Sequence, residues 1–263
     1  MACNPAGTAT AMTATIACAF DADGLETFAA DSNAAAVDIL ILPELFAGGY
    51  ARLESGGSSA ERTARILDRL SGISRQHRLH LIGGSLALPG PDGKVRNTSV
   101  VFSNGIEVAR YTKTHLFRPL RDDIHFAPGH PGEILELQCG DETIHVGVII
   151  CYDLRFPEIV RPWFREGLTL LAVPARWPRV RDDVWKTLLR ARAIENQCFV
   201  VGVDSRDDEG GGSYAFGPAG EIVFDLGPDP RPEDRPWYSF AIDTAAIDTV
   251  KSRFDTRSDA VLL

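Results

Sequence analysis

The sequence predicts an α/β fold in which sheets are covered by helices, and three observations carry that expectation. Short apolar, β-branched runs recur along the 263 residues, helical patterns lie between several of them, and Gly- and Pro-containing turns punctuate the whole. Antiparallel hairpin signals mix with βαβ-like stretches. A chain of this length can bury a substantial core as one unit, so a single domain over residues 1–263 is expected.

Residues 1–12 are expected to be flexible. Residues 13–20 and 37–42 read as the first two strands, with a short Ala-rich segment between them that leaves room for only a reduced first helix. Residues 59–76 read as a helix that puts Ile66, Leu70 and Ile73 on one face and Arg and Glu on the other. Strands follow at 79–88 and 98–102. Asn104-Gly105 joins the latter to a partner strand, because a type I′ turn needs positive φ at both central residues. Residues 143–150, 168–173 and 199–203 complete the apolar strand set. Between the last two, residues 182–197 form a helix carrying Trp185, Leu188, Leu189 and Ile194, with an acidic first turn that suits the positive end of its dipole. The Asp- and Gly-rich stretch 205–213 reads as a mobile loop, and Pro218-Ala-Gly220 as a second hairpin turn. Residues 227–236 form an extended connector to a last strand near 237–242, which makes 227–263 a C-terminal extension and the expected dimer contact.

The net charge of −9 argues against a nucleic-acid partner, which needs clustered Lys and Arg. Five cysteines in no regular framework suggest free thiols in a reducing compartment, and the absence of a Cys-x-x-Cys pair makes a cysteine-based zinc site unexpected. The N-terminus lacks a basic stretch and the apolar runs are too short to span a bilayer, so a cytoplasmic protein with no membrane partner is expected.

Three apolar runs each deliver a reactive side chain. Ile39–Leu42 is followed by Pro43 and Glu44, the Val108–Thr112 run by Lys113, and the Val146–Ile150 run by Cys151. Each has a bland reading: a cap, a surface lysine, a buried small apolar residue. Together they offer a base, a cation and a nucleophile. A thiol is a weak nucleophile until it loses its proton, a carboxylate can accept that proton, and an ammonium stabilises both a thiolate and an oxyanion. Sequence spacing alone does not bring the three together. Near matches to Gly-x-Ser-x-Gly lack the closing glycine, and no phosphate-binding Gly-rich loop is present.

Leu42-Pro-Glu-Leu-Phe46, Lys113-Thr-His-Leu-Phe117 and Cys151-Tyr-Asp-Leu-Arg-Phe-Pro-Glu158 resemble, in order, the three catalytic motifs of the nitrilase superfamily of carbon–nitrogen hydrolases. Trp177-Pro178, Trp185, the 190–197 segment and Pro218-Ala-Gly-Glu221 resemble its downstream segments. The resemblance implies a four-layer αββα sandwich with mixed sheets, assembled as a homodimer or larger homo-oligomer. It implies a small-molecule amide substrate, no cofactor and no metal. Cys151 would attack the amide carbon, Glu44 would shuttle the proton, and Lys113 with the backbone N–H of Tyr152 would stabilise the oxyanion. The ω-amidase-like branch, which shares the Lys-x-His-Leu-Phe-Arg and Arg-Ala-Ile-Glu-Asn-Gln segments, is the nearest match. A carbamoylase and a catalytically weak binding protein are the alternatives.

Members usually carry a second glutamate about seven residues before the glycine of a Pro-Gly turn. Counting back from Gly129 gives Asp122, one methylene shorter, with Asp123 as the alternative. Arg176 stands where many relatives have asparagine; it can fork onto a substrate carboxylate, pack on Trp177, or pair with a nearby acid. Arg155 is expected to pair with Glu158, and His115 to be structural. Asp122, Tyr152, Arg176 and Trp177 are thus the candidate substrate-positioning residues.

Overall fold

Branched and small apolar residues fill Thr13–Ala19 (β1), so both faces of this strand can be covered, and residues 16–19 are buried. The computed structural model describes residues 13–49, 60–207, 210–229 and 235–261. β1 runs parallel to Ile39–Ile41 (β2), which runs parallel to His80–Ile82 (β3). The helix Ala22–Ala30 (α1) connects β1 to β2; Asp21 caps it, its carboxylate accepting the Gly24 N–H at 2.6 Å. Ala60–His77 (α2) precedes β3 and buries Leu70 and Ile73. Leu86–Pro89 (β4), Val95–Ser103 (β5) and Ile106–Thr112 (β6) add antiparallel strands. Asn104 and Gly105 both have positive φ, 50° and 86°, as the two-residue hairpin requires.

The second sheet takes Leu135–Cys139 (β7), Glu142–Val148 (β8), Leu170–Ala175 (β9), Phe199–Asp204 (β10), Ser213–Phe216 (β11) and Ile222–Leu226 (β12), in the order β12-β11-β10-β9-β8-β7. β8, β9 and β10 are mutually parallel and the outer strands antiparallel, so this sheet is mixed as well. Asp182–Asn196 (α3) lies on its outer face. Trp185 and Leu189 descend onto Gly202, where a Cβ would come within 2.5 Å of both side chains. Trp237–Asp243 (β13) returns to the first sheet and pairs with β1 over seven residues, and Ala245–Arg253 (α4) follows it.

Alternation along the strands builds the layers. Ile16, Ile39 and Ile41 of the first sheet join Val146, Val148 and Leu171 of the second in one buried cluster. Ala17, Leu40 and Leu81 point the other way, onto Phe28 of α1 and Leu70 and Ile73 of α2. The result is the expected α–β–β–α stack.

Some expectations are corrected. The run 79–88 is two strands, because Gly83 and Gly84 turn the chain and Gly84 takes φ +54°. β7 and α4 were not anticipated: β7 alternates Leu with Glu and Gln, and α4 buries only Ile247, whereas β11 and β12 are the antiparallel strands on either side of the turn read at Pro218-Ala-Gly220. The expectations for residues 1–12, Cys3 and Ser59, and for parts of the 205–213 loop and the 227–263 extension, lie outside the described residues.

Candidate active site

Glu44, Lys113 and Cys151 all follow strand ends at the same end of the sandwich, and the fold brings them together. Glu44 is fully buried three residues beyond β2. Its Oε1 accepts hydrogen bonds from Lys113 Nζ and Asn97 Nδ2, both at 2.7 Å, and its Oε2 accepts one from the Arg176 N–H at 3.1 Å. Lys113, one residue past β6, also donates from Nζ to Asp122 Oδ2 at 2.8 Å. The same Asp122 oxygen accepts the Phe117 N–H at 2.9 Å, and the carboxylate is wholly buried. Of the two neighbouring aspartates, Asp122 therefore faces the lysine, while Asp123 is exposed. Two carboxylates flank one ammonium, all three side chains buried, and electrostatic contacts between buried groups are strong.

Cys151 opens a 3₁₀ turn directly after the second-sheet core, and its φ of 48° places a non-glycine residue in the left-handed region. Such a conformation costs roughly 1–3 kcal/mol and persists only where the surroundings hold it. Asp153 is the buried group that holds it here. Its Oδ2 accepts the Ile150 N–H at 3.1 Å and the Tyr111 hydroxyl at 2.8 Å, and its Oδ1 accepts the His115 N–H at 2.8 Å. His115 Nδ1 lies 2.9 Å from the same Oδ1, and the imidazole stacks on Phe156 with centroids 3.7 Å apart. The cysteine turn is thereby tied to the end of the lysine strand, and His115 is structural, as expected. The Cys151 thiol points its Sγ at the Arg176 carbonyl, 3.9 Å away. Burial pushes this thiol well above the usual range, the Glu44 carboxylate adds to the rise, and Lys113 opposes it.

A pocket opens above Cys151. Lys113, Phe117, Tyr152, Trp177 and three arginines, 155, 176 and 181, are among its walls. Trp177 is stacked on Trp185, and its N–H meets both oxygens of Asp204 at 3.1 Å. Asp204 also accepts the N–H groups of Ser205 and Gly211; burial pushes its carboxyl well up against the pull of these three donors. The expected Arg155–Glu158 pair is replaced by a cation–π contact, with the Arg155 guanidinium 5.0 Å above the Trp177 ring. Arg176 takes the third of its anticipated options: it pairs with an acid, Asp207.

Asn97, Asp153, Asp204 and Asp207 were not singled out from sequence. Asp153 lies inside the Cys151 motif, and that proximity was the available signal. Among the described residues, no group of three or more His, Cys, Asp or Glu is placed to hold a metal ion, and no helix is long and apolar enough to cross a membrane.

A family model described as carbon-nitrogen hydrolase matches residues 3–248. The chain belongs to the carbon–nitrogen hydrolase family. A 2-oxoglutaramate amidase of Bacillus subtilis (strain 168) is 32% identical to this hydrolase over 197 residues, covering 72% of the chain and 74% of the relative. The omega-amidase YafV of Yersinia enterocolitica is 35% identical over 182 residues, with 68% and 66% covered. Among solved structures, a mutant of the amidase from Nesterenkonia sp. AN1 superimposes with a TM-score of 0.74 at 26% identity, covering 94% of this chain and 97% of the other. That protein carries the acetamide moiety of fluoroacetamide covalently at its active-site cysteine. The carbon–nitrogen hydrolase described here is an enzyme of the nitrilase superfamily with the corresponding fold.

Proposed function

We propose that this hydrolase cleaves the amide of a small carboxylate-bearing compound, in the manner of an ω-amidase, through a thioester on Cys151. The observation that carries the reading is the pocket itself: three arginines line the walls above a buried Glu44, Lys113 and Cys151 in a chain of net charge −9. Cationic walls in an acidic molecule concentrate an anionic ligand. The similarity to 2-oxoglutaramate amidase and omega-amidase YafV supports the same class of substrate.

In this mechanism Glu44 takes the thiol proton as Sγ attacks the amide carbon, and the carbonyl electrons move onto oxygen. Lys113 Nζ and the Tyr152 N–H stabilise that oxyanion. Glu44 returns the proton to nitrogen, the carbon–nitrogen bond breaks, and ammonia leaves. Water then gives a proton to Glu44, its oxygen attacks the thioester, and the acid departs as Sγ recovers the proton. Asp122 fixes the Lys113 ammonium, Trp177 floors the pocket, and Arg176 receives the substrate carboxylate. We also place the enzyme in the cytoplasm, on its buried free thiols, as a homodimer that uses the 227–263 extension, where Phe254 is 58% exposed. Light scattering is expected to give twice the chain mass, and Phe254→Asp to give a monomer; a wild-type monomer would refute the dimer.

Ammonia release from glutaramate is expected from the wild type and not from Cys151→Ala, whose circular dichroism should remain native. Mass spectrometry of the wild type should catch an acyl adduct on Cys151. Turnover by the variant would remove Cys151 from the mechanism, and release from N-carbamoyl amino acids alone would replace the amidase by a carbamoylase.

A further inference from the structure

We propose that Asp207 is a built-in stand-in for the substrate carboxylate, resting on Arg176 and displaced when an acidic amide binds. The inference rests on the ω-amide reading above and names the residue that sets its discrimination.

Arg176 begins at the reacting centre. Its N–H donates to Glu44 and its carbonyl faces the Cys151 thiol, so its side chain leaves the backbone beside the chemistry. From there the guanidinium lies along the pocket wall over Gly49, where a Cβ would come within 3.0 Å of Arg176 Cζ. One Nη2 donates to Asp207 Oδ2, a single-point contact that leaves the rest of the planar donor fork for a two-oxygen acceptor.

Asp207 is delivered to this position by a braced loop. The Arg176-Trp177-Pro178 segment and the chain after β10 are joined by Trp177 N–H to Asp204, by Gly211 N–H to the Trp177 carbonyl at 2.8 Å, and by a bridge between Pro178 and Gly210. The Gly210 N–H then donates to the Asp207 carbonyl at 3.1 Å. Its contact with Arg176 is nonetheless partly exposed, with the Arg176 and Asp207 side chains 24% and 41% accessible. An ion pair of that exposure is weak and exchangeable. An incoming carboxylate is chemically the same group and can bind with both oxygens, so it takes the fork from Asp207. A neutral amide has nothing to exchange, and leaves the pair closed.

The test is Asp207→Asn, with Asp207→Ala to exclude a new amide hydrogen bond, assayed on glutaramate and on the neutral pentanamide. Removing the internal competitor should lower KM for glutaramate about two- to fivefold relative to KM for pentanamide, with kcat for glutaramate unchanged, the scale set by a partly exposed ion pair. In an Arg176→Ala background the same substitution should leave that ratio unchanged. A KM ratio that stays level or shifts the other way would overturn the proposal. Calorimetric titration with glutarate gives an arm that needs no turnover: Asp207→Asn should bind it more tightly by the same factor, and equal or weaker binding overturns the role of Asp207. If the wild type fails to hydrolyse glutaramate, the ω-amide reading falls while the glutarate arm still decides about Asp207.

Discussion

Lys113 is where the side chains of the site depend most on one another, since its ammonium lies between Glu44 and Asp122, and all three are buried. Lys113→Met would remove the ammonium that stands between two buried carboxylates. Breaking a buried ion pair from one side costs about 3–5 kcal/mol, so urea denaturation should register a loss of that size along with loss of activity. Asp122→Asn keeps the shape and gives up the charge; kcat for glutaramate is expected to fall by about 100-fold as Lys113 loses its orientation, while Asp123→Asn stays near wild type. A steady-state comparison of the two variants separates the neighbours. Glu44, Lys113 and Cys151 were legible as candidates because each closes a strand-like run, and as a set because their motifs resemble, in order, those of the nitrilase superfamily. Asn97 and Asp153 were not, because their meaning lies in partners far along the chain: Asn97 meets Glu44 across 53 residues, and Asp153 meets Tyr111 across 42. No local pattern records a contact of that span.

Strands and helices with a continuous apolar face were legible in outline, and those defined by their neighbours were not. β1, β10 and α3 match their expected ranges within a residue or two, since each carries its own hydrophobic period. The break between β3 and β4 is set instead by contact with another element. At Gly84 the backbone has φ +54°, and a Cβ would sit 2.0 Å from the Pro43 carbonyl oxygen, immediately before Glu44. Gly84→Ala is therefore expected to destabilise the fold by more than about 2 kcal/mol and to lower kcat/KM at least about tenfold by shifting the Glu44 segment, measured by denaturation and by ammonia release. β7 was obscured for a related reason: it is short and acquires strand character from its longer partner, β8.

Over the whole molecule, buried thiols link stability to pH. Cys18, Cys139, Cys151 and Cys198 are buried, and burial raises each thiol, Cys139 to about 12 and the others further. In the unfolded chain these thiols titrate near their ordinary value of 9.0. Above that pH the unfolded state gives up protons that the folded state keeps, so stability is full below pH 9 and declines as pH rises. Each thiol steepens the decline by up to about 1.4 kcal/mol per pH unit. Thermal melts between pH 8 and 11 should show the falling midpoint, and Cys198→Ala should flatten it; a flat profile for the wild type would contradict the linkage. The architecture also divides labour within one residue. The peptide unit of Arg176 meets Glu44 and Cys151 through its N–H and carbonyl, which every amino acid except proline possesses, whereas its side chain alone reaches the mouth. On the proposed reading of Arg176, substrate preference can accordingly be rewritten at this position over evolutionary time while its main-chain contacts to Glu44 and Cys151 stay untouched.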